Sequence, residues 1–380
     1  MSDTQALVLL LALVYLSDCV AWVRRGAVAF RALGAGDFRA ALPSAFTGNA
    51  RAGLVWTNPL PPLGTLFVAE SWPLAFSPDA LASVPGLELD PRAPRVAQWH
   101  AKRWSEVGEI RAVEKELWID GRVFARADTL HAARELARLA DALRKAPAAR
   151  REALIDAALA PGFDVEAVTA RATSFAKATR ALRIATNALF AFLAVVLPLM
   201  LWRFGILMTW PWLLAGLVAC LATVAVLFWR AHRTLRPDAK SARRRALALI
   251  ALSPPEAVRA LDSLARPWLA GFDPLAAAAL LGEDARRELV RSILLDTRHP
   301  LPPPVSAEPV AVDCERWFRA RLLRERERAA QRLGLDPRSL LAPPASDDPS
   351  ARGFCLRCEL DHAEAAGACS DCGAELAARA

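Results

Sequence analysis

Two long uncharged stretches, four residues apart, constrain this chain more than any other feature. Ile184 to Leu201 reads IATNALFAFLAVVLPLML, and Ile206 to Trp229 also carries no charged side chain. At 1.5 Å per residue, an 18-residue helix reaches about 27 Å, close to the thickness of a bilayer core. The second arm is longer and can span with tilt. Only Trp202, Arg203, Phe204 and Gly205 separate the arms, so they are expected to be antiparallel neighbours. Trp202, Trp210, Trp212 and Trp229 sit near the arm ends, where indole rings favour the membrane interface. Pro198 and Pro211 lie toward the turn, where a missing backbone hydrogen bond costs least. A buried hairpin in a soluble core is the alternative, and two such arms in 380 residues weigh against it.

Charge sets the expected direction. Lys177, Arg180 and Arg183 precede the first arm, and Arg230, Arg233, Arg236, Lys240, Arg243, Arg244 and Arg245 follow the second. The turn holds a single Arg. Positive residues favour the cytoplasmic side, so both ends are expected there. The basic run is also placed to meet anionic lipid head groups, although a topology signal alone accounts for it. A third apolar run, residues 5–23, precedes Arg24 and Arg25. Its start, MSDTQ, lacks the positive segment of a cleaved signal peptide. It reads as a signal-anchor helix with its N-terminus outside. Leu16-Ser17-Asp18-Cys19 only loosely follows a lipoprotein box, because an Asp precedes the Cys. The fold class expected is an α-helical membrane protein with three transmembrane helices.

The net charge of +8 is a weak hint of nucleic acid, because much of it is juxtamembrane. Arg greatly outnumbers Lys, and Ala and Pro are abundant, as in a GC-rich bacterial genome. The expected compartment is therefore the bacterial inner membrane.

Residues 26–145 are expected to form a small α+β cytoplasmic domain. Short apolar runs recur between Pro, Gly and Asn breaks. VEKELWIDGRVFARA, Val113 to Ala127, has alternating apolar positions around Asp120-Gly121, a two-residue hairpin turn. A helix capped by Asp128 or Thr129 then runs to about Lys145, with Leu130, Ala133, Leu136, Ala137, Ala140 and Leu143 on one face. A sheet closed by such a helix resembles, in topology alone, a pleckstrin-homology-type bacterial membrane domain. That resemblance implies a binding module beside the membrane. Residues 150–183 read as a helical connector broken at Pro161-Gly162 and continuous with the first arm. Residues 230–298 combine the basic segment with short helices. A Pro-rich linker at 299–312 precedes a charged helix at 313–334, with Trp317, Phe318, Leu322 and Leu323 on its apolar face. A second linker spans 335–352.

One constellation carries chemistry. Cys355-x2-Cys358 and Cys369-x2-Cys372 fall within FCLRCELDHAEAAGACSDCGAEL. Each pair presents two thiolates from a tight knuckle, and Gly373 supplies the free backbone that a knuckle needs. Residues 353–376 resemble a zinc ribbon, which implies a structural Zn²⁺ held by Cys355, Cys358, Cys369 and Cys372. Iron suits the same cage, and His362 is an alternative fourth ligand. Four ligands close the shell and leave no position for substrate. Cys19 and Cys220 lie in apolar stretches and read as packing residues, and Cys314 stands alone.

No catalytic motif is legible, and the apolar arms lack the ionisable groups of a transport path. The leading expectation is a membrane-anchored scaffold that offers the ribbon to a cytoplasmic protein partner. A membrane enzyme with its site in 26–145 is the alternative. A recruiter of nucleic acid or ribosomes is another, disfavoured by the ribbon's mildly acidic surface.

Overall fold

The computed structural model describes residues 5–7, 28–32, 39–41, 50–54, 63–71, 74–84, 99–258 (without 115 and 127–129), 260–261, 264, 268, 272–298 and 303–379 (without 304, 344, 347, 357, 359, 372 and 374). These residues are mostly helical, with small sheets. The expected anchor at 5–23 lies outside them except for the helical Gln5–Leu7.

Strands β1 (Val28–Ala32), β2 (Arg39–Ala41), β3 (Ala50–Leu54) and β4 (Leu63–Ser71) form a sheet in the order β2-β1-β4-β3. Strands β5 (Leu74–Phe76), β6 (Ala80–Ser83) and β7 (His100–Arg103) form a second, antiparallel one. A third is the meander β8 (Ile110–Val113), β9 (Glu116–Ile119) and β10 (Arg122–Arg126). Among the described residues, 26–145 thus holds three separate sheets, not the single sheet expected. The Asp120-Gly121 hairpin forms where the alternation places it. Both turn residues have positive φ, 51° and 78°, as this kind of turn requires.

Helix α1 (Leu130–Lys145) lies on the meander and buries Ala133, Leu136, Ala140 and Leu143 at the expected spacing. Leu130 stays exposed at its first turn. The proposed cap, Asp128 or Thr129, lies outside the described residues. Helix α2 (Ala148–Leu159) ends in a 3₁₀ turn at Ala160–Phe163, where Pro161-Gly162 interrupts it. Helix α3 (Val165–Ala191) buries Val168, Ala172, Phe175, Thr179, Leu182, Thr186 and Leu189. Their alternating spacing of four and three is a narrow seam of the coiled-coil kind.

The first apolar arm departs from expectation. Residues 184–201 are divided among the end of α3, a π-helical turn at Phe192–Val196, and α4 (Leu197–Phe204). Pro198 explains the division. It has no N–H to donate, and its ring crowds the carbonyl of Ala194, one turn earlier. The four-residue turn also shrinks. Helix α4 runs to Phe204, and α5 (Ile206–Leu235) starts at Ile206. Gly205 alone reverses the chain, at φ 75° and ψ 166°, a conformation open essentially to glycine. Among the described residues, only one helix, Leu207–Leu235, is both long and apolar enough to cross a membrane. The three-helix expectation is therefore met by one such helix.

Beyond it come α6 (Lys240–Leu252), α7 (Pro254–Val258), α8 (Pro274–Ala277) and α9 (Glu283–Arg298). Helix α10 spans Pro309–Arg332, one turn earlier than the charge pattern suggested. Pro309 is tolerated at its first position because that N–H would be unpaired anyway. The second linker is not bare chain. Asp336 caps the short α11 (Pro337–Leu340), accepting from the amides of Arg338 and Ser339. Leu340 and Leu341 are buried.

The chain falls into two compact units. One holds residues 1–41, 53–68 and 169–270, and so contains α4 to α7. The other holds 42–52, 69–168 and 271–380. In the second unit, α10 lies on the β5-β6-β7 sheet. Phe76 stacks on Trp104 and meets Phe318 edge-on at 6.1 Å. A buried ion pair fixes the other side of α10. Arg326 Nη2 donates to Asp273 Oδ2 at 3.0 Å, and Nη1 donates to the Thr297 hydroxyl. Asp273 Oδ1 accepts from Leu275 N and so opens α8.

Candidate metal centre

The C-terminal segment buries few apolar side chains, among them Phe354 and Leu356. Cys355, Cys369 and Leu376 are its buried cluster, with Cys358 packed against them. Three short strands frame it: β11 (Gly353–Cys355), β12 (Leu360–His362) and β13 (Ala377–Ala378), in the order β12-β11-β13. Strand β11 ends on Cys355, which sets the first thiol at the start of a turn. Cys358 N then donates back to Cys355 Sγ at 3.4 Å. This is the knuckle geometry predicted for Cys-x2-Cys. Gly373 N donates to Cys369 O at 2.9 Å, and Gly373 has φ 72°. The glycine after the last thiol is thus used for the backbone freedom expected of it. Gly353 serves a different need, since a Cβ there would stand 2.1 Å from the Glu364 carbonyl oxygen.

The Sγ atoms of Cys355, Cys358 and Cys369 all lie within 4.8 Å of one another. Cys358 and Cys369 are 3.9 Å apart. Tetrahedral thiolates at a Zn–S distance of about 2.3 Å would stand roughly 3.8 Å apart. The three thiols can therefore hold a metal ion. Cys372, the fourth expected ligand, lies outside the described residues. His362, the alternative, is brought to the cluster, with Nε2 3.6 Å from Cys369 Sγ.

Around the cluster, Arg379 ties the strands together. Its guanidinium lies 4.8 Å from the centroid of the Phe354 ring and pairs with Asp361. The Ser346 hydroxyl, first, and Arg379 hold the Asp361 carboxyl below its ordinary range. No sequence pattern singles out Arg379. Its bracing contact links residues 18 apart and leaves no local signature.

The other candidate groups fall elsewhere. Cys314 is buried on α10, where its thiol donates to the carbonyls of Ala80 and Ala75 at 3.4 and 3.5 Å. Burial pushes its pKa to about 12, so it is neither nucleophile nor ligand at neutral pH. His100 Nδ1 meets Glu308 Oε1 at 2.9 Å, and Glu308 Oε2 accepts from Ala101 N. This contact attaches the end of the Pro-rich linker to β7. The arginines of α10 are drawn into pairs. Arg319 pairs with Glu315, Arg321 with Glu152 and Asp156, and Arg328 with Glu325.

No family model matches the chain, and no curated protein or solved structure is significantly similar to it.

Proposed function

We propose that this is a membrane-anchored scaffold, which offers a zinc-stabilised ribbon to a protein partner at the cytoplasmic face of a bacterial inner membrane. The observation that carries the reading is the bare surface of α5. Only 17% of its most apolar window is buried inside the protein. Leu207, Met208 and Trp212 are 85%, 77% and 78% exposed. A soluble core helix would cover such residues, and a bilayer covers them here. The segment 184–204 is read as a second span. A π turn is a known way to satisfy backbone groups around a membrane proline. The anchor at 5–23 is the third.

At the other end, Zn²⁺ is held by Cys355, Cys358, Cys369 and Cys372. The ion's part is structural, supplementing the few buried apolar side chains of a short segment. Partner recognition is assigned to the ribbon because its closed shell leaves no catalytic position.

The test is cross-linking and mass spectrometry on membranes, comparing the native chain with Cys355→Ser/Cys358→Ser. The expected result is one zinc per native chain and a partner captured by the native protein alone. Identical partners from both proteins would remove the ribbon from the reading. Release of the native chain by alkaline carbonate would remove the membrane.

A further inference from the structure

We infer that the end of α5 and the start of α6 form a binding site for the phosphate of an anionic phospholipid, built from His232, Arg236, Arg243 and the uncapped N-terminus of α6. The inference rests on the membrane reading above and names a specific lipid for it.

The first observation is a cation on the wrong face. Helix α6 buries Ile250, with Leu247, Ala246 and Arg243 partly covered on the same stripe. Arg244 and Arg245 lie on the exposed face, where juxtamembrane arginines usually sit. Arg243 is instead drawn inward, and its Nη1 is buried with no hydrogen-bond partner. A buried guanidinium nitrogen without a partner is costly, and an anion from outside the chain would satisfy it.

The second observation is independent. His232 lies on α5 among the buried Phe228, Ala231 and Leu235, with 3% of its surface exposed. Its Nδ1 is also buried and without a partner. Arg236 and Arg243 both act on His232 through their charge, so three nitrogen-bearing groups converge. No carboxylate offsets them. Asp238, in the connecting turn, is exposed and pairs with neither arginine among the described residues.

The backbone adds to this field. Ala239 at the N-cap of α6 has no side-chain cap. Lys240 N donates to the Asp238 carbonyl at 3.0 Å, and the N–H groups of Ser241 and Ala242 keep their partial positive charge, the ordinary setting for a bound phosphate.

Depth selects the lipid. Arg233 lies over the Trp229 ring at 5.5 Å, a pairing that suits the head-group layer. His232 is within one turn of that level. Farther along α6, Leu249 and Leu252 are exposed and offer a surface for acyl chains.

The test is native mass spectrometry of the full chain in neutral detergent. It is titrated with phosphatidylglycerol, with phosphatidylcholine of the same acyl chains, and with inorganic phosphate. Phosphatidylglycerol is expected to bind about tenfold more tightly than phosphatidylcholine. Arg236→Gln and Arg243→Gln should each remove about fivefold of that preference, and Arg243→Lys should retain most of it. Arg244→Gln, on the exposed face, should change nothing. Equal retention of both lipids, or an equal loss in Arg244→Gln, would overturn the site. Inorganic phosphate competing at the lipid's own affinity would overturn the lipid assignment. A chain that resists carbonate extraction yet shows no lipid preference sinks this inference and spares the membrane reading. Release by carbonate sinks both.

Discussion

Asp120 shows how much a single side chain can fix once a turn has placed it. Its Oδ1 accepts from the amides of Gly108 and Glu109 at 3.0 and 2.8 Å, and its Oδ2 accepts from Lys102 Nζ at 2.5 Å. A Cβ on Gly108 would stand 2.8 Å from Oδ1, so any other residue there would push the carboxylate aside. The lysine, and next the Glu109 amide, hold the Asp120 carboxyl below its ordinary value of 3.8. The folded pKa therefore lies below the unfolded one. The stabilisation is complete above the unfolded value and is lost as pH falls through the folded one. Hydrogen exchange should report this directly. The Gly108 and Glu109 amides should lose protection in acid, and in Asp120→Ala at neutral pH. A cost of about 1–2 kcal/mol is expected, given the side chain's partial exposure. Unchanged protection in the variant would mean that the hairpin alone shapes the loop. Cys314 gives a second prediction at this scale. With its thiol protonated and covered, it should resist N-ethylmaleimide in the folded chain and react only on denaturation. Labelling of native protein at Cys314 would contradict its burial against β5 and β6.

Elements were legible where their signal is local. The Asp-Gly hairpin and the apolar face of α1 follow from spacing within a few residues. So does the break at Pro161-Gly162. The π turn did not, because Pro198 announces a defect without saying which way the helix absorbs it. Helix α10 was read as a charged rod between linkers, yet it is a central packing element of its unit. Its inward face mixes Cys314, Phe318 and Leu322 with the charged Glu315 and Arg326, which blurs the apolar period. What fixes its position is Asp273, 53 residues away, and no periodicity shows such a partner. Removing one member of a buried ion pair leaves the other uncompensated, typically at about 3–5 kcal/mol. Arg326→Ala should therefore lower the thermal midpoint of the full chain markedly. Arg328→Ala, which removes an exposed Arg from its pair with Glu325, should cost at most about 1 kcal/mol and move the midpoint little. Equal effects would show that the network is not the anchor of α10.

At the scale of the whole molecule, the two ends of the argument obey different physics. The apolar helix α5 is specified by composition over tens of residues, and was visible for that reason. The ribbon is specified by four sulfur positions, and its strands are too short to be read without them. Strand β13 has two residues and pairs with β11 only because the chain returns past the knuckles. Such a short segment has few buried apolar side chains to oppose chain entropy, so the proposed metal would contribute much of its stability. Chelation should thus act locally. Added EDTA, or Cys355→Ser, should raise exchange across 353–378 and leave the amides of α10 protected by the sheet beneath them. Cobalt substituted into the native chain should show thiolate-to-metal charge transfer. Its visible bands would separate a four-sulfur shell from one in which His362 takes the fourth position. Loss of α10 protection on chelation would make the metal a support for the whole unit, and Arg326 would then be the wrong place to look for its anchor.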